Sequence, residues 1–224
     1  MLAVPEVLDQ EALALLHALP FDAIEAAWLD MLSLDSSGMV ARDLARFDRF
    51  FLLTKLLKRE DAIHEWIYAR CREVEADPDD HLDLWAREHY KSSVITFGGA
   101  IQEILRNPEI TICIFSFNKP VARKFLRQIK HELETNDELQ GLFPEILFAD
   151  PKRESPRWSE DSGLVVRRAG NPKEATLEAH GLVEARHGSG VRVLDATKKG
   201  GLSLLPLWFD ALSDNPQEAT RVFR

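Results

Sequence analysis

The run over residues 110–115, Ile-Thr-Ile-Cys-Ile-Phe, is the feature that most limits how this chain can fold. It is nearly continuous in apolar and β-branched residues, which predicts a strand covered on both faces rather than one with a face in water. Strands of that kind occur in parallel sheets, whose neighbouring strands need a long crossover connection. A mostly parallel sheet with helices packed on it is therefore expected.

Helical patterns stand on both sides of this run. One helix is predicted over residues 94–106, ended by Asn107 and Pro108. Another follows residues 118–120, with apolar residues at helical spacing: Ala122, Phe125, Leu126, Ile129 and Leu133. Residues 82–85 alternate like a short strand. The order strand, loop, helix, strand, helix predicts a βαβ unit.

The rest of the chain divides into two parts. Near the N-terminus, apolar residues recur at three- and four-residue spacing in four blocks, which predicts a helical lead-in: residues 11–18, 21–34, 40–57 and 61–75. Later, two strands are predicted around a turn at 169–172, forming a hairpin of residues 163–168 and 175–179. Three regions are expected: a helical region over 1–78, a core over 79–185 and a divergent tail over 186–224.

The composition limits the kinds of partner and the cellular location expected for the chain. With 37 acidic and 28 basic residues, the net charge is -9, so any contact with DNA must be local. No stretch approaches the ~18 uncharged apolar residues of a membrane span, and the first residues lack a signal-peptide pattern. A cytosolic protein without membrane contact is expected.

Cysteines and histidines show no spacing typical of a metal site or a disulfide framework. Cys71 and Cys113 lie far apart among apolar neighbours, so both are expected to be core thiols. Five histidines are expected to be structural or exposed: His64, His81, His131, His180 and His187.

The chemistry is concentrated in residues 86–93, Ala-Arg-Glu-His-Tyr-Lys-Ser-Ser. A phosphate-binding loop needs backbone N–H groups around the phosphates, a lysine for the β- and γ-phosphates, and a hydroxyl on Mg²⁺ at a helix start. Lys91 and Ser92 supply the last two. Tyr90 stands where the usual pattern has glycine, and a positive φ there would be strained, so the loop geometry differs or phosphate binding is weaker. The alternative is a surface Lys-Ser pair at a helix start.

Residues 83–93, together with 108–112 and 114–116, resemble the ATPase segment of large terminase subunits from tailed phages and prophages. The similarity extends over roughly residues 40–184 and includes 125–130, 142–144, 154–160 and 171–176. Phosphate loops of that family carry an early arginine, and Arg87 stands four residues before Lys91. The resemblance implies a three-layer α/β P-loop NTPase core, incomplete at its C-terminal edge, with an α-helical N-terminal appendage.

The resemblance also implies a function: the ATPase portion of a motor that threads double-stranded DNA into a capsid in the host cytoplasm. ATP and Mg²⁺ would be the cofactors, with Lys91 on the γ-phosphate, Ser92 on Mg²⁺ and Arg87 as a phosphate sensor or electrostatic stabiliser. The nucleotide would contact Arg87, Glu88, His89, Tyr90, Lys91, Ser92 and Ser93. A small terminase subunit, a portal protein and further copies of the chain would be the partners.

The family's next element, an apolar strand ending in two acids, is missing from the expected place. Its nearest substitute is the segment 191–196, where Asp195 is the candidate Mg²⁺ ligand. The resemblance ends near Arg186, so we expect a truncated or frame-altered chain, or a shortened relative, without nuclease activity and with an exposed sheet edge. Three functions stay open: a packaging ATPase, a nucleotide-binding module without hydrolysis, and a non-enzymatic protein that docks the small subunit or portal through residues 1–75.

One helix face offers a candidate DNA contact. Five cations stand on one side of the helix predicted after residue 118: Lys119, Arg123, Lys124, Arg127 and Lys130. Such a row can follow a DNA backbone, but it also fits an ordinary solvated helix face.

Overall fold

Helices form the first part of the chain in the computed structural model, which describes residues 7–77, 83–170, 174–186 and 190–193. In chain order they are α1 Gln10–His17, α2 Phe21–Ser33, α3 Met39–Phe47, α4 Arg49–Phe51 with a π-helical continuation over Leu52–Leu56, a 3₁₀ turn Glu60–Ala62, and α5 Glu65–Ala76. The predicted helical lead-in is confirmed. The block predicted as one helix over 40–57 is broken at Asp48, which has extended backbone angles and caps α4 by accepting from Phe51 N at 3.0 Å.

Buried polar groups join these helices. The Asp48 carboxylate accepts a hydrogen bond from Trp28 Nε1 in α2 at 3.0 Å and pairs with Arg72 in α5. Glu75, also in α5, accepts from the backbone N–H of Arg49. Desolvation raises the pKa of Glu75 to about 7, outweighing the neighbouring Arg72 cation. Because these groups are shielded from water, each depends on its partners.

A second helical stretch follows the candidate loop and packs against the first part of the chain. It begins as a π-helix over Ser92–Gly98 and continues as α6 Gly99–Arg106, which confirms the helix predicted over 94–106. Arg49 Nε donates to Gln102 Oε1 at 2.9 Å, linking α4 to α6. Where the two π-helical stretches meet, a Cβ on Gly98 would lie 2.8 Å from Leu53 Cδ2. Glycine at this position permits the close approach.

The sheet has four strands in the order β1-β4-β3-β2: β1 Ile112–Ser116, β2 Trp158–Ser159, β3 Gly163–Leu164 and β4 Leu177–Gly181. β1 and β4 are parallel, with Ile112 opposite Leu177 and Ser116 opposite Gly181. β3 runs antiparallel to β4, and β2 runs antiparallel to β3. A separate antiparallel pair comprises β5 Val183–Arg186 and β6 Gly190–Val193.

Three further helices lie between β1 and β2: α7 Lys119–Thr135, α8 Asp137–Leu142 and α9 Pro151–Glu154. α7 packs on β1 and β4. It buries four residues of the predicted stripe, Ala122, Leu126, Ile129 and Leu133, while Phe125 is partly buried. One cluster of buried side chains extends from Leu8 to Ala179, so the N-terminal helices and the sheet share a core. The expected boundary near residue 78 lies outside the described residues.

Three sequence predictions about strands are wrong and one is confirmed. Residues 83–86 form no strand: Leu84 is 81% exposed, and Trp85 packs on Trp66 of α5 instead of entering the sheet. β1 is not covered on both faces, since Phe115 is 39% exposed. The sheet is mixed rather than mostly parallel. The predicted hairpin exists, with Leu164 opposite Leu177, although its first strand is short.

The chain is thus a mixed α/β protein, with N-terminal helices and a four-stranded mixed sheet packed with helices. In the described ranges, no helix combines the length and apolar character that crossing a membrane requires.

Replacing Gly98 with alanine should destabilise the fold. The new Cβ would lie 2.8 Å from Leu53 Cδ2 and 3.1 Å from the Ser93 carbonyl oxygen. Leu53 is fully buried and the carbonyl belongs to the backbone, so neither yields easily. We expect Gly98→Ala to lower the free energy of unfolding by about 1–3 kcal/mol, measured by urea denaturation. The control is Gly141→Ala in α8, where a Cβ meets nothing within 4 Å. That variant should gain about 0.5–1 kcal/mol, and equal effects at both positions would contradict the packing.

Glu75 should make stability depend on pH. Because its pKa is raised in the folded state, Glu75 binds its proton more tightly in the folded chain than in the unfolded chain. This difference stabilises the fold below the unfolded pKa of 4.5, and the contribution is lost as pH rises through about 7. At about 1.4 kcal/mol for each pH unit, the full loss approaches roughly 3 kcal/mol. Urea unfolding of Glu75→Gln should therefore show a flatter pH profile than the wild-type chain across this range. Glu73→Gln, on an exposed position of the same helix, should keep the wild-type slope. Parallel profiles for the wild type and Glu75→Gln would refute the assignment.

Candidate functional site

The loop between α5 and the second helical stretch curls around a pocket. Residues 85–93 line this pocket, whose volume is about 530 Å³. Within the loop, Glu88 and Tyr90 have φ angles of 65° and 60°, in the left-handed region that L-residues other than glycine seldom adopt. His89 lies between them without a positive φ. Backbone that alternates in this way turns successive N–H groups toward one concavity, which is how proteins bind anions with the main chain.

Contacts on both sides of Tyr90 hold its unusual backbone angle. Its hydroxyl donates to the carboxylate of Asp61, in the 3₁₀ turn before α5. Its carbonyl oxygen accepts from Val94 N at 2.9 Å, in the helical stretch that follows the loop. The hydrogen bond to Asp61 raises the pKa of Tyr90. The positive φ that glycine would supply in the usual phosphate loop is thus adopted by tyrosine and fixed by tertiary contacts.

Lys91 and Ser92 stand where the loop becomes a helix. Both side chains are exposed and both residues line the pocket. Lys91 Nζ contacts the Asp83 carbonyl oxygen at 3.4 Å, a long hydrogen bond that leaves the ammonium group able to move to a ligand. Helix N-termini attract anions through their unpaired N–H groups. A cation, a hydroxyl and backbone donors therefore meet at one edge of the pocket.

Arg87 and His89 complete the loop. Both are exposed and line the pocket. His89 Nδ1 lies 2.8 Å from the Arg87 carbonyl oxygen, which closes the middle of the loop on itself. The seven residues predicted as the nucleotide contacts, 87–93, are thus brought together around one pocket.

An aromatic pocket adjoins the loop. It has a volume of about 350 Å³ and lies between the loop and the start of α5. Trp66 forms its aromatic wall, with Trp85 edge-on at 5.2 Å and the His89 ring edge-on at 5.5 Å between ring centroids. Glu88, His89 and Tyr90 line both pockets. A ligand with an anionic end and a flat apolar end would find a matching surface for each end.

The acidic residues near the loop are not the two acids at a strand end that the resemblance implies. Glu88 is the carboxylate among the residues that line the loop pocket, and Asp61 stands behind Tyr90. The parallel strands β1 and β4 end at Ser116 and Gly181, neither of which is acidic. Asp195, the predicted Mg²⁺ ligand, lies outside the described residues.

The row of cations on α7 is largely neutralised by acidic neighbours. Arg127 pairs with Glu160 at 2.7 Å, and Arg123 pairs with Asp161. The other two paired cations are Lys130, beside Glu134, and Lys119, 4.0 Å from Asp161. This arrangement favours an ordinary solvated helix face over a track for a DNA backbone.

A cysteine, a glutamate and a histidine form a cluster that sequence spacing did not reveal. Cys113 in β1 lies beside Glu178 and His180 in β4. Cys113 is half-buried rather than a core thiol, whereas Cys71 is fully buried as predicted. Cys113 is more than sixty positions away from Glu178 and His180 in sequence, so local spacing does not indicate the cluster. Only the pairing of β1 with β4 brings them together.

No protein-family model matches the chain, and no curated protein or solved structure was found that matches it. Its class is therefore set by its own fold, a mixed α/β protein with a pocket-forming loop at the start of a helix.

Removing the Asp61 charge should lower the pKa of Tyr90. The chain has two tyrosines, so a Tyr68→Phe background leaves Tyr90 as the one phenol that an absorbance titration detects. In that background Asp61→Asn should move the titration to lower pH, because the carboxylate no longer stabilises the protonated phenol. Glu60→Gln removes the charge next to Asp61 in sequence and should leave the titration unchanged. A Tyr90 titration that ignores Asp61→Asn would show that the contact does not form in solution.

Proposed function

We propose that this chain binds Mg-ATP in the loop of residues 87–93 and is the ATPase portion of a phage DNA-packaging terminase large subunit. The observation that carries the proposal is the loop itself, which lines an open pocket of about 530 Å³ with Lys91 and Ser92 at the helix start. Pockets of roughly 300–1,000 Å³ are typical of small-molecule sites. The positive φ angles at Glu88 and Tyr90 support an anion as the ligand.

Each part of the loop has a role in this proposal. Lys91 leaves its long contact with Asp83 and reaches the β- and γ-phosphates, and the Ser92 hydroxyl binds Mg²⁺. Arg87 adds a second cation that responds to the γ-phosphate. Trp66 and His89 provide the aromatic surface on which the base lies. Mg²⁺ also neutralises phosphate charge close to Glu88, which would otherwise repel the nucleotide.

Hydrolysis needs a group that orients the attacking water. In the described strands, β1 and β4 end at Ser116 and Gly181 instead of at an acid. This observation favours a second candidate function, nucleotide binding without turnover. Asp195 remains the proposed Mg²⁺ ligand if the chain hydrolyses ATP.

The wider proposal follows from the resemblance to phage terminases. Double-stranded DNA is then the moved substrate, and the partners are a small terminase subunit, a portal protein and other copies of the chain. Since four of the five α7 cations are paired with acids, DNA contact is not assigned to that helix.

Lys91→Ala tests the nucleotide site. A hydrogen bond to a charged group contributes about 1.5–3 kcal/mol, so losing the ammonium should weaken Mg-ATP binding roughly 10- to 150-fold. Isothermal titration calorimetry of the full chain measures this loss. Lys124→Ala removes an exposed lysine of α7 and should keep the wild-type affinity. Equal affinities for Lys91→Ala and the wild type, or no binding to either at millimolar nucleotide, would refute the proposal.

Phosphate release separates the two candidate functions. Mg-dependent release that disappears in Lys91→Ala identifies an ATPase. Binding that Lys91→Ala abolishes, without phosphate release by the wild-type chain, identifies a nucleotide-binding module.

A further inference from the structure

A second polar site lies on the sheet, apart from the loop pocket. Cys113 stands directly opposite Glu178 in the parallel pairing of β1 with β4. His180 is two residues beyond Glu178, so both side chains leave β4 on the same face. The cysteine sulfur, a carboxylate oxygen and an imidazole nitrogen all lie within 4.8 Å of one another.

We propose that Cys113, Glu178 and His180 bind a divalent zinc-class metal ion, which links β1 to β4. These three donors are the sulfur, oxygen and nitrogen ligands that zinc accepts in proteins. A thiolate and an imidazole disfavour Mg²⁺ and Ca²⁺, which prefer oxygen ligands. One thiolate and one carboxylate also balance the two positive charges of the ion.

The ligand atoms, which all lie within 4.8 Å of one another, would have to shift to reach the spacing of a zinc site. Tetrahedral zinc at the usual bond lengths places its ligand atoms roughly 3.3–3.6 Å apart. His180 Nε2 and Glu178 Oε2 lie 2.9 Å apart, so they would separate by a few tenths of an ångström to admit the ion. The three side chains belong to β1 and β4, and the register of these paired strands fixes the positions of their Cα atoms. Water would complete the coordination, because the three side chains are only partly buried.

Neighbouring groups orient the ligands. The Phe115 ring stacks on the His180 imidazole, with centroids 5.6 Å apart and ring planes at 30°. Arg157 Nη1 lies 3.7 Å from Glu178 Oε1, which leaves Oε2 turned toward His180. Such supporting contacts fix ring orientation and tune ligands in known metal sites.

Metal binding would release the thiol proton. Zinc binds the thiolate form of cysteine, so the Cys113 thiol has to lose its proton when the ion binds. The ion replaces that proton, and the site therefore binds more weakly as pH falls.

A zinc titration of the full chain against a chromophoric chelator tests the site. The wild-type chain should bind one equivalent, and Cys113→Ser should bind more than about 100-fold more weakly, since even outer-shell partners contribute about 10- to 100-fold. Cys71→Ala, which removes the other thiol, should bind like the wild type. With Co²⁺ as the probe, a near-ultraviolet sulfur-to-cobalt charge-transfer band should appear in the wild type and in Cys71→Ala but not in Cys113→Ser.

The stability of the chain provides a second readout. Zinc should raise the thermal unfolding midpoint of the wild type, because a ligand that binds the folded state stabilises it. It should not raise that of His180→Gln, which decides the matter if Cys113→Ser fails to fold. A wild-type chain that binds zinc no better than these variants, or a loss of binding in Cys71→Ala alone, would overturn the proposal.

Discussion

Asp48 and Arg49 stand where four helices meet, and the position of the candidate loop depends on them. The Asp48 carboxylate takes Trp28 from α2 and Arg72 from α5, while Arg49 reaches Gln102 in α6. A buried charge deprived of its partner destabilises a fold by about 3–5 kcal/mol. Moving one of these helices away from the others would therefore leave a buried polar or charged group without its partner. Because α6 continues the helix that starts at Ser92, the same contacts fix where the loop ends.

The loop is held between two elements of this helical framework. Asp61, in the turn before α5, accepts a hydrogen bond from the Tyr90 hydroxyl, and Val94 N in the helical stretch on the other side donates to the Tyr90 carbonyl oxygen. Positive φ angles at Glu88 and Tyr90 are unfavourable on their own and persist because the surroundings determine them. Strained backbone of this kind concentrates at functional sites. A glycine would adopt the same angle without the tertiary contact, but it would also leave the loop freer to move.

Local patterns predicted the helices well and the strands poorly. The apolar stripe of α7 could be predicted from sequence because its buried residues recur every three to four positions. The helix break at Asp48 could not be predicted from local patterns, because a fully buried carboxylate that caps a helix depends on partners in α2 and α5. Residues 82–85 alternate in sequence as a strand does, yet a strand also needs backbone partners, and Trp85 packs on Trp66 instead. The seven loop residues could be chosen from sequence, whereas Asp61 and Trp66, which support them, belong to another element.

One residue, Asp83, connects the edge of the sheet at β1 with the candidate loop. β1 is one of the two edge strands of the described four-stranded sheet. A groove of about 700 Å³ runs between this edge and α6, and Asp83 lines it beside Cys113. The Asp83 carbonyl also accepts the hydrogen bond from Lys91. A residue that lines the groove at the sheet edge is thus also the residue whose carbonyl oxygen contacts the Lys91 ammonium.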